Sequence, residues 1–160
     1  MAIHKVDGVD GVNHFPKKFV TLYTAATSIT KGQWVQIDGG DTTNGLGGSV
    51  KLATVGANSN ESGPMCFGVA AETISAAGNI TIQTAGKFEN AYVVNAADSV
   101  VGHALIGPLN GATAGSASAQ TASTFGGSVI GYALEVEGTG SGESGTALRC
   151  DVMIVDQGFF

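Results

Sequence analysis

Charged residues are scarce in this sequence: Lys, Arg, Asp and Glu together make 12% of 160 residues, roughly half the usual quarter of a globular chain. Only seven of them are basic and the formal net charge is −6. That balance excludes an extended phosphate-binding surface, because nucleic-acid affinity comes from Lys and Arg releasing counterions. Aromatic residues are also few, at 7%, and no apolar run reaches the 18 residues of a membrane-spanning helix. The first 20 residues lack the basic start and apolar stretch of a signal peptide, which predicts a soluble protein made without Sec-type export. Cysteine is limited to Cys66 and Cys150, 84 positions apart, a separation that fits no zinc or redox motif. Two reduced, buried thiols are expected, with a single disulfide as the alternative.

What the chain has instead is small side chains. Gly, Ala, Ser and Thr account for 73 residues. Leu, Ile, Val and Phe still number 39, about a quarter of the chain and above the level at which chains stay disordered, so a core is expected. Val, Ile and Thr number 40 and favour pleated backbone, whereas helix signals are nearly absent. Apolar and polar residues alternate in WVQID (34–38), NITIQT (79–84) and LRCDVMIV (148–155). In the last of these, Leu148, Cys150, Val152 and Ile154 share one face. The opposite face, Arg149, Asp151, Met153 and Val155, turns apolar towards its end, so the strand is expected to finish against another surface. Glycine clusters at 38–49, 110–120, 125–128 and 137–145 read as turns. A helix is the alternative for 95–105, where Gly102 would weaken it by about 1 kcal/mol.

These signals predict an all-β protein, a small β-barrel or β-sandwich with short strands and Gly-rich turns, organised as a single domain over 19–160. Residues 1–18 carry charge, glycine and a Phe-Pro pair without periodicity. They are expected to form an extended arm that orders on contact with a partner. Along that arm His14, Phe15, Pro16, Lys17 and Lys18 are candidate contact residues, since Lys17 and Lys18 are the basic pair and Phe15 is an apolar anchor beside it. Phe159 and Phe160, beyond the last strand, are either core plugs or further contact points.

Reactive chemistry is hard to assemble from these residues. His4, His14 and His103 have no spacing that places two on one face, and Ser128, Ser141 and Ser144 lack the strand-to-helix elbow of a nucleophile. Asp38, Asp41 and Asn44 offer oxygen ligands in a loop suited to calcium, but the twelfth position from Asp38 is Ser49, where an EF-hand needs Glu. The bland alternative is a surface Asx turn. No catalytic, cofactor or metal site is therefore predicted, and the chain is not expected to be an enzyme.

The segment CFGVAAETISAAGNITIQTAG (66–86) has an echo in VIGYALEVEGTGSGESGTALRCDV (129–152), with Gly68, Ala70 and Glu72 matching Gly131, Ala133 and Glu135, each 63 positions on. The two readings are chance in a Gly-Ala-rich chain and a duplicated hairpin. G-V-A, a small-residue turn and T-I-Q-T-A-G-K-F resemble the phage capsid cement or head decoration family, whose members were formerly labelled predicted phage recombinases. SITKGQWVQIDGG (28–40) resembles its opening strand and the second echo its closing segment, so the resemblance spans roughly 21–155.

The resemblance implies a small, β-tulip-like virion structural protein. Such a protein is made in the bacterial host cytoplasm and binds the outer surface of a phage capsid as a homotrimer. Its partner is the major capsid protein, between whose subunits it stabilises contacts, with no role for nucleic acid or membrane. Recombination is not implied. The phosphate-binding G-x-x-x-x-G-K-[ST] is missing, and the nearest approach, Gly86-Lys87-Phe88, has no hydroxyl at its third position. A carbohydrate-binding or adhesive β module is the alternative, with Tyr23, Trp34, Tyr92 and Tyr132 as stacking faces.

Overall fold

The β-branched runs do become strands. The computed structural model describes residues 16–25, 28–38, 49–54, 66–94, 102–108, 113–119, 129–134 and 148–156, and no helix occurs among them. Nine strands follow in order: β1 Lys18–Thr24, β2 Trp34–Ile37, β3 Val50–Leu52, β4 Cys66–Ala70, β5 Gly78–Val94, β6 Ala104–Ile106, β7 Ala117–Ala119, β8 Gly131–Ala133 and β9 Leu148–Ile154. The expected all-β fold with short strands is correct, and its centre is a closed five-strand barrel with additional strands.

Four sequence-based boundaries change, the first being that Ala117–Ala119, within the stretch 110–120 expected as a turn, form strand β7 and pair with β5 and β6. The run at 79–84 is one half of a 17-residue strand. The helix alternative for 95–105 fails at its C-terminal end, because Ala104 and Leu105 pair with β8 and Leu105 also pairs with β7; residues 95–101 lie outside the described residues. The arm expected over 1–18 gives way to sheet at Lys18, which pairs with Ala85 across a bulge.

The length of β5 organises everything else. Its first half, residues 78–85, pairs antiparallel with β1 and β4, and its second half, 86–94, pairs antiparallel with β9 and parallel with β7. The switch between sheets falls at Gly86, whose φ of +88° lies in the left-handed region that glycine tolerates. Gln83 braces this switch, its buried side-chain amide donating to the Ala85 carbonyl at 3.0 Å and the Lys87 carbonyl at 2.9 Å. The second half of β5 with β7, β6, β8 and β9 closes the barrel. The first half runs through β4, β2 and β3 and, on its other edge, β1. A parallel bridge from Tyr23 to Ser49 draws β1 towards β3.

Each half therefore has the same strand order. The third strand neighbours the second, then come the fourth, the fifth and the first, which approaches the third in parallel. The sequence echo is realised in detail. β4 with β5 and β8 with β9 are the two hairpins, and a Cβ at Gly68 or Gly131 would lie 2.5 Å from the Gln83 carbonyl oxygen or 2.6 Å from that of Met153. Real Cβ atoms do not approach so closely, so glycine is required at both matched positions by backbone proximity. Ala70 and Ala133 also match. Ala70 accepts from Gly32 N–H at 2.9 Å and donates to the Gln33 carbonyl at 2.9 Å, while Ala133 accepts from Gly102 N–H at 2.7 Å and donates to the His103 carbonyl at 2.9 Å. Gly32 and Gly102 both have positive φ, a third matched pair that the echo in sequence did not include. Duplication, not chance, is the reading that this correspondence favours; Glu135 lies outside the described residues.

Two cores result. One gathers Ile29, Val35, Val50, Phe67, Ala70, Ile80 and Ile82, with Val20, Leu22, Leu52 and Ile74 against it. The other is built on Phe88, Val93, Leu105, Ile130, Cys150, Val152 and Ile154 but also takes Trp34, Cys66 and Val69 from β2 and β4. Those two strands are covered on both faces, which is why β4 is buried throughout and the alternation expected in WVQID does not become a half-exposed strand: Trp34, Val35 and Gln36 are all buried and Ile37 is exposed. Trp34 locks the halves together, with its Cη2 3.4 Å from where a Gly131 Cβ would stand and its indole N–H donating to the Tyr92 carbonyl at 3.1 Å. Full burial of so large a ring is worth upwards of about 2 kcal/mol.

Candidate functional site

Two strands flank β5 along the same edge, end to end. β9 finishes with Ile154 opposite Gly86, and β1 begins with Lys18 opposite Ala85. At this break lies a groove of about 430 Å³ lined by Pro16, Lys18, Ala85, Gly86, Tyr132, Met153, Ile154, Val155 and Asp156. Its walls are predominantly apolar and its rim is charged, with the Lys18 ammonium paired to the Asp156 carboxylate. Both ionic side chains are nearly half exposed, so the pair contributes at most about 1 kcal/mol. It marks where the first and last strands meet more than it holds them.

The strand register explains the lining. On β9, Cys150, Val152 and Ile154 are buried, while Arg149 is exposed and Asp151 and Met153 are half-buried on the other face. That second face does turn apolar at Met153 and Val155 as expected, and there it meets the groove. Tyr132 stands opposite Met153 in the β8–β9 register and is 42% exposed, a large apolar surface at the groove mouth.

Of the candidate contact residues, Pro16 and Lys18 line the groove, and Lys17 lies exposed between them in sequence. His14, Phe15, Phe159 and Phe160 lie outside the described residues. The structure thus joins part of the arm to the root of the C-terminal segment through a pair 138 positions apart. Met153, Val155 and Asp156 were not among the candidates, and Tyr132 entered only as a stacking face of the carbohydrate alternative. Only the apolar turn at the end of β9 signalled two of them, because nothing in local spacing shows that β1 and β9 abut.

The remaining polar groups form structural links. Arg149 stacks 3.7 Å from the centre of the Tyr92 ring, donates to the Tyr92 hydroxyl at 2.6 Å, and donates to the Lys31 and Asn90 carbonyls at 2.9 Å each. Asn90, at φ +61°, sits at the bulge of β5 against β9, and its N–H donates to Asp151 at 3.1 Å. Lys87 pairs with Asp151 at 2.8 Å. This cluster fastens the Lys31–Gly32 turn of the first half to the second half.

The Asp38 carboxylate of the calcium alternative pairs with Lys51 at 2.9 Å, a cation already in place, while Asp41 and Asn44 lie outside the described residues. Among the described residues no three His, Cys, Asp or Glu side chains gather to hold a metal ion. Cys66 and Cys150 are both buried, and no disulfide joins them. For the carbohydrate alternative the aromatics are poorly placed: Trp34 is fully buried, Tyr23 is half-buried and the Tyr92 ring is covered by Arg149, leaving Tyr132 as the exposed one of the four. Comparison with protein-family models, with curated proteins and with solved structures finds no match to the chain.

Proposed function

We propose that this chain is a virion structural protein that binds the outer surface of a phage capsid as a cement or decoration protein, and that it acts by contact and not by catalysis. The observation that carries the reading is the convergence of both terminal segments on one groove. Pro16 and Lys18 of the arm root meet Val155 and Asp156 of the C-terminal root beside the exposed Tyr132. A face with an apolar centre, a charged rim and two chain segments leading from it has the composition of a docking surface. The sequence resemblance adds to it, since its three quoted segments fall on β2 and its approach, the β4–β5 hairpin and the β8–β9 hairpin, and of these strands β5, β8 and β9 line the groove.

On this reading His14, Phe15, Pro16, Lys17, Lys18, Phe159 and Phe160 contact the major capsid protein, and the arm adds an edge strand or an apolar anchor to a neighbouring subunit. A ligand that binds the assembled shell and not its separated subunits stabilises the shell by mass action at every site. Assembly as a homotrimer links three such contacts and raises their effective concentration.

Electron cryomicroscopy of phage heads with and without the chain tests the reading. Density on the outer surface at threefold or quasi-threefold points is the expected result, and identical surfaces overturn it. Deleting residues 1–15, which precede the described fold, should weaken attachment about tenfold or more while circular dichroism stays unchanged. Attachment equal to that of the full chain would remove the arm from the mechanism.

A further inference from the structure

The two halves are joined by two crossings. One is the unbroken β5 through Ala85 and Gly86, and the other runs from β9 to β1, which abut without a covalent link. Within each half the first strand meets the third only briefly: β5 pairs with β7 at Val93 and Val94, and β1 is bridged to Ser49 at Tyr23 alone. The rest of the outer edge of β5 is filled by the first half. There the Tyr92 N–H donates to the Gly32 carbonyl at 2.9 Å, and the Tyr92 carbonyl accepts from the Trp34 indole N–H at 3.1 Å. The fit is so close that a Cβ on Gly32 would lie 2.5 Å from the Asn90 carbonyl oxygen. A glycine turn thus supplies the partner that this strand edge otherwise lacks.

Both counterparts of this contact exist elsewhere in the chain, and they are unmatched. Thr81, opposite Thr21, donates its N–H to Glu72 at 2.7 Å and accepts from the Ala71 N–H at 2.9 Å, both away from β1. Thr21 therefore turns its own N–H and C=O outward, as does Phe19 two residues earlier. Among the described residues those outward groups have no partner, and Phe19 is 55% exposed. Exposed edges are usually guarded by charge, proline or a bulge; here Lys18 and its bulge guard only the start, and Phe19, Val20, Thr21 and Leu22 carry no charge. The turn that matches Gly32 is Gly102, which is exposed at φ +88° and where an added Cβ would meet nothing within 4 Å. We propose that this turn, in a second copy of the chain, seats on the outward edge of β1 as Gly32 seats on β5 within the chain. Edge and turn are different surfaces, so the contact is heterologous: each copy offers its turn to one neighbour and its edge to the next, and such contacts close into rings. A ring of three is the homotrimer of the proposed function. The inference rests on that part of the reading and is independent of capsid binding.

The test uses the full chain without phage heads, so that self-association is read apart from attachment. Light scattering of the parent is expected to give the mass of a trimer. Gly102→Asn keeps a residue that tolerates left-handed backbone but places a side chain where the contact needs glycine, and it should reduce the particle to a single chain. Thr21→Pro removes the outward N–H while sparing the bonds to β5, and it should do the same. An equimolar mixture of the two variants should form dimers, because one still offers a turn and the other an edge. In the parent the Thr21 amide should exchange about tenfold or more slowly than in Gly102→Asn. Circular dichroism and Trp34 emission equal to the parent's establish the fold; should Thr21→Pro lose them, Gly102→Asn and the exchange rates decide alone. A trimer that keeps its mass and its Thr21 exchange rate in Gly102→Asn overturns the proposal and leaves the homotrimer standing. A parent that stays monomeric at every concentration overturns both. With both variants folded, a mixture that remains monomeric shows that edge and turn are not each other's partners and overturns the proposal as well.

Discussion

Cys66 shows how burial sets the chemistry of a single side chain. It lies 2% exposed in the core that joins the two halves, and burial pushes its thiol up from an ordinary 9.0 to about 12. The unfolded chain releases this proton near pH 9, whereas the folded chain keeps it to about pH 12. The thiol's contribution to stability is therefore complete below pH 9 and is lost as pH rises between those values, at about 1.4 kcal/mol per pH unit. Removing the group by Cys66→Ala should destabilise the protein by about 1–2 kcal/mol at neutral pH through the cavity it leaves. That gap between parent and variant should narrow above pH 9 in denaturant titrations. A gap that stays constant up to about pH 11 would show that the thiol ionises as readily in the fold as outside it. The same burial predicts that the native thiol resists alkylating reagents, which attack the thiolate.

At the scale of elements, the two hairpins carry the duplication, and their glycines make it testable. Gly68 and Gly131 sit in strands, where glycine ordinarily weakens the structure, yet each faces a carbonyl oxygen of its hairpin partner too closely for any Cβ. Gly68→Ala and Gly131→Ala should each cost about 1–3 kcal/mol, measured as a lower denaturation midpoint, because the backbone on both sides must move apart. Gly78→Ala, where an added Cβ meets nothing within 4 Å, is the control and should be close to neutral. Equal effects at all three positions would show that entropy in the unfolded chain, not close approach, governs these sites. The Gly68–Gly131 match was legible in sequence because an Ala and a Glu follow each glycine at the same spacing, Ala70 and Glu72 after the first and Ala133 and Glu135 after the second. The Gly32–Gly102 match was not, since Lys31-Gly32-Gln33-Trp34 and Val101-Gly102-His103-Ala104 share only the glycine, and their likeness lies in the hydrogen bonds to Ala70 and Ala133.

For the whole molecule, the consequence of the duplicated order is that the break between β9 and β1 is one of two equivalent crossings. A chain in which Asp156 is joined to Pro16 by a short flexible linker, with new ends placed between Ala76 and Ala77 in the exposed bend before β5, should fold to the same structure. Chain joints at exposed sites where few contacts cross are the ones that tolerate such rearrangement. Its denaturation midpoint should match that of the parent within a small shift, and its Trp34 emission should be unchanged. A permuted chain that fails to fold would mean that the free ends at the groove are part of what holds the molecule together.

The amino-acid sequence alone determined that this protein is built of strands, most of them short, and that Cys150, Val152 and Ile154 face a core. Those properties follow from local sterics and period-two patterning, which each segment expresses without reference to the others. The sequence also held the outline of the repeat. Only the tertiary structure decided that NITIQT belongs to a strand of 17 residues serving two sheets, that Trp34 is a fully buried bolt between the halves, and that Lys18 meets Asp156 at a shared groove. Each of these depends on which strands lie side by side. That choice is made by long-range pairing and by the burial of both faces of β2 and β4, which no local pattern encodes.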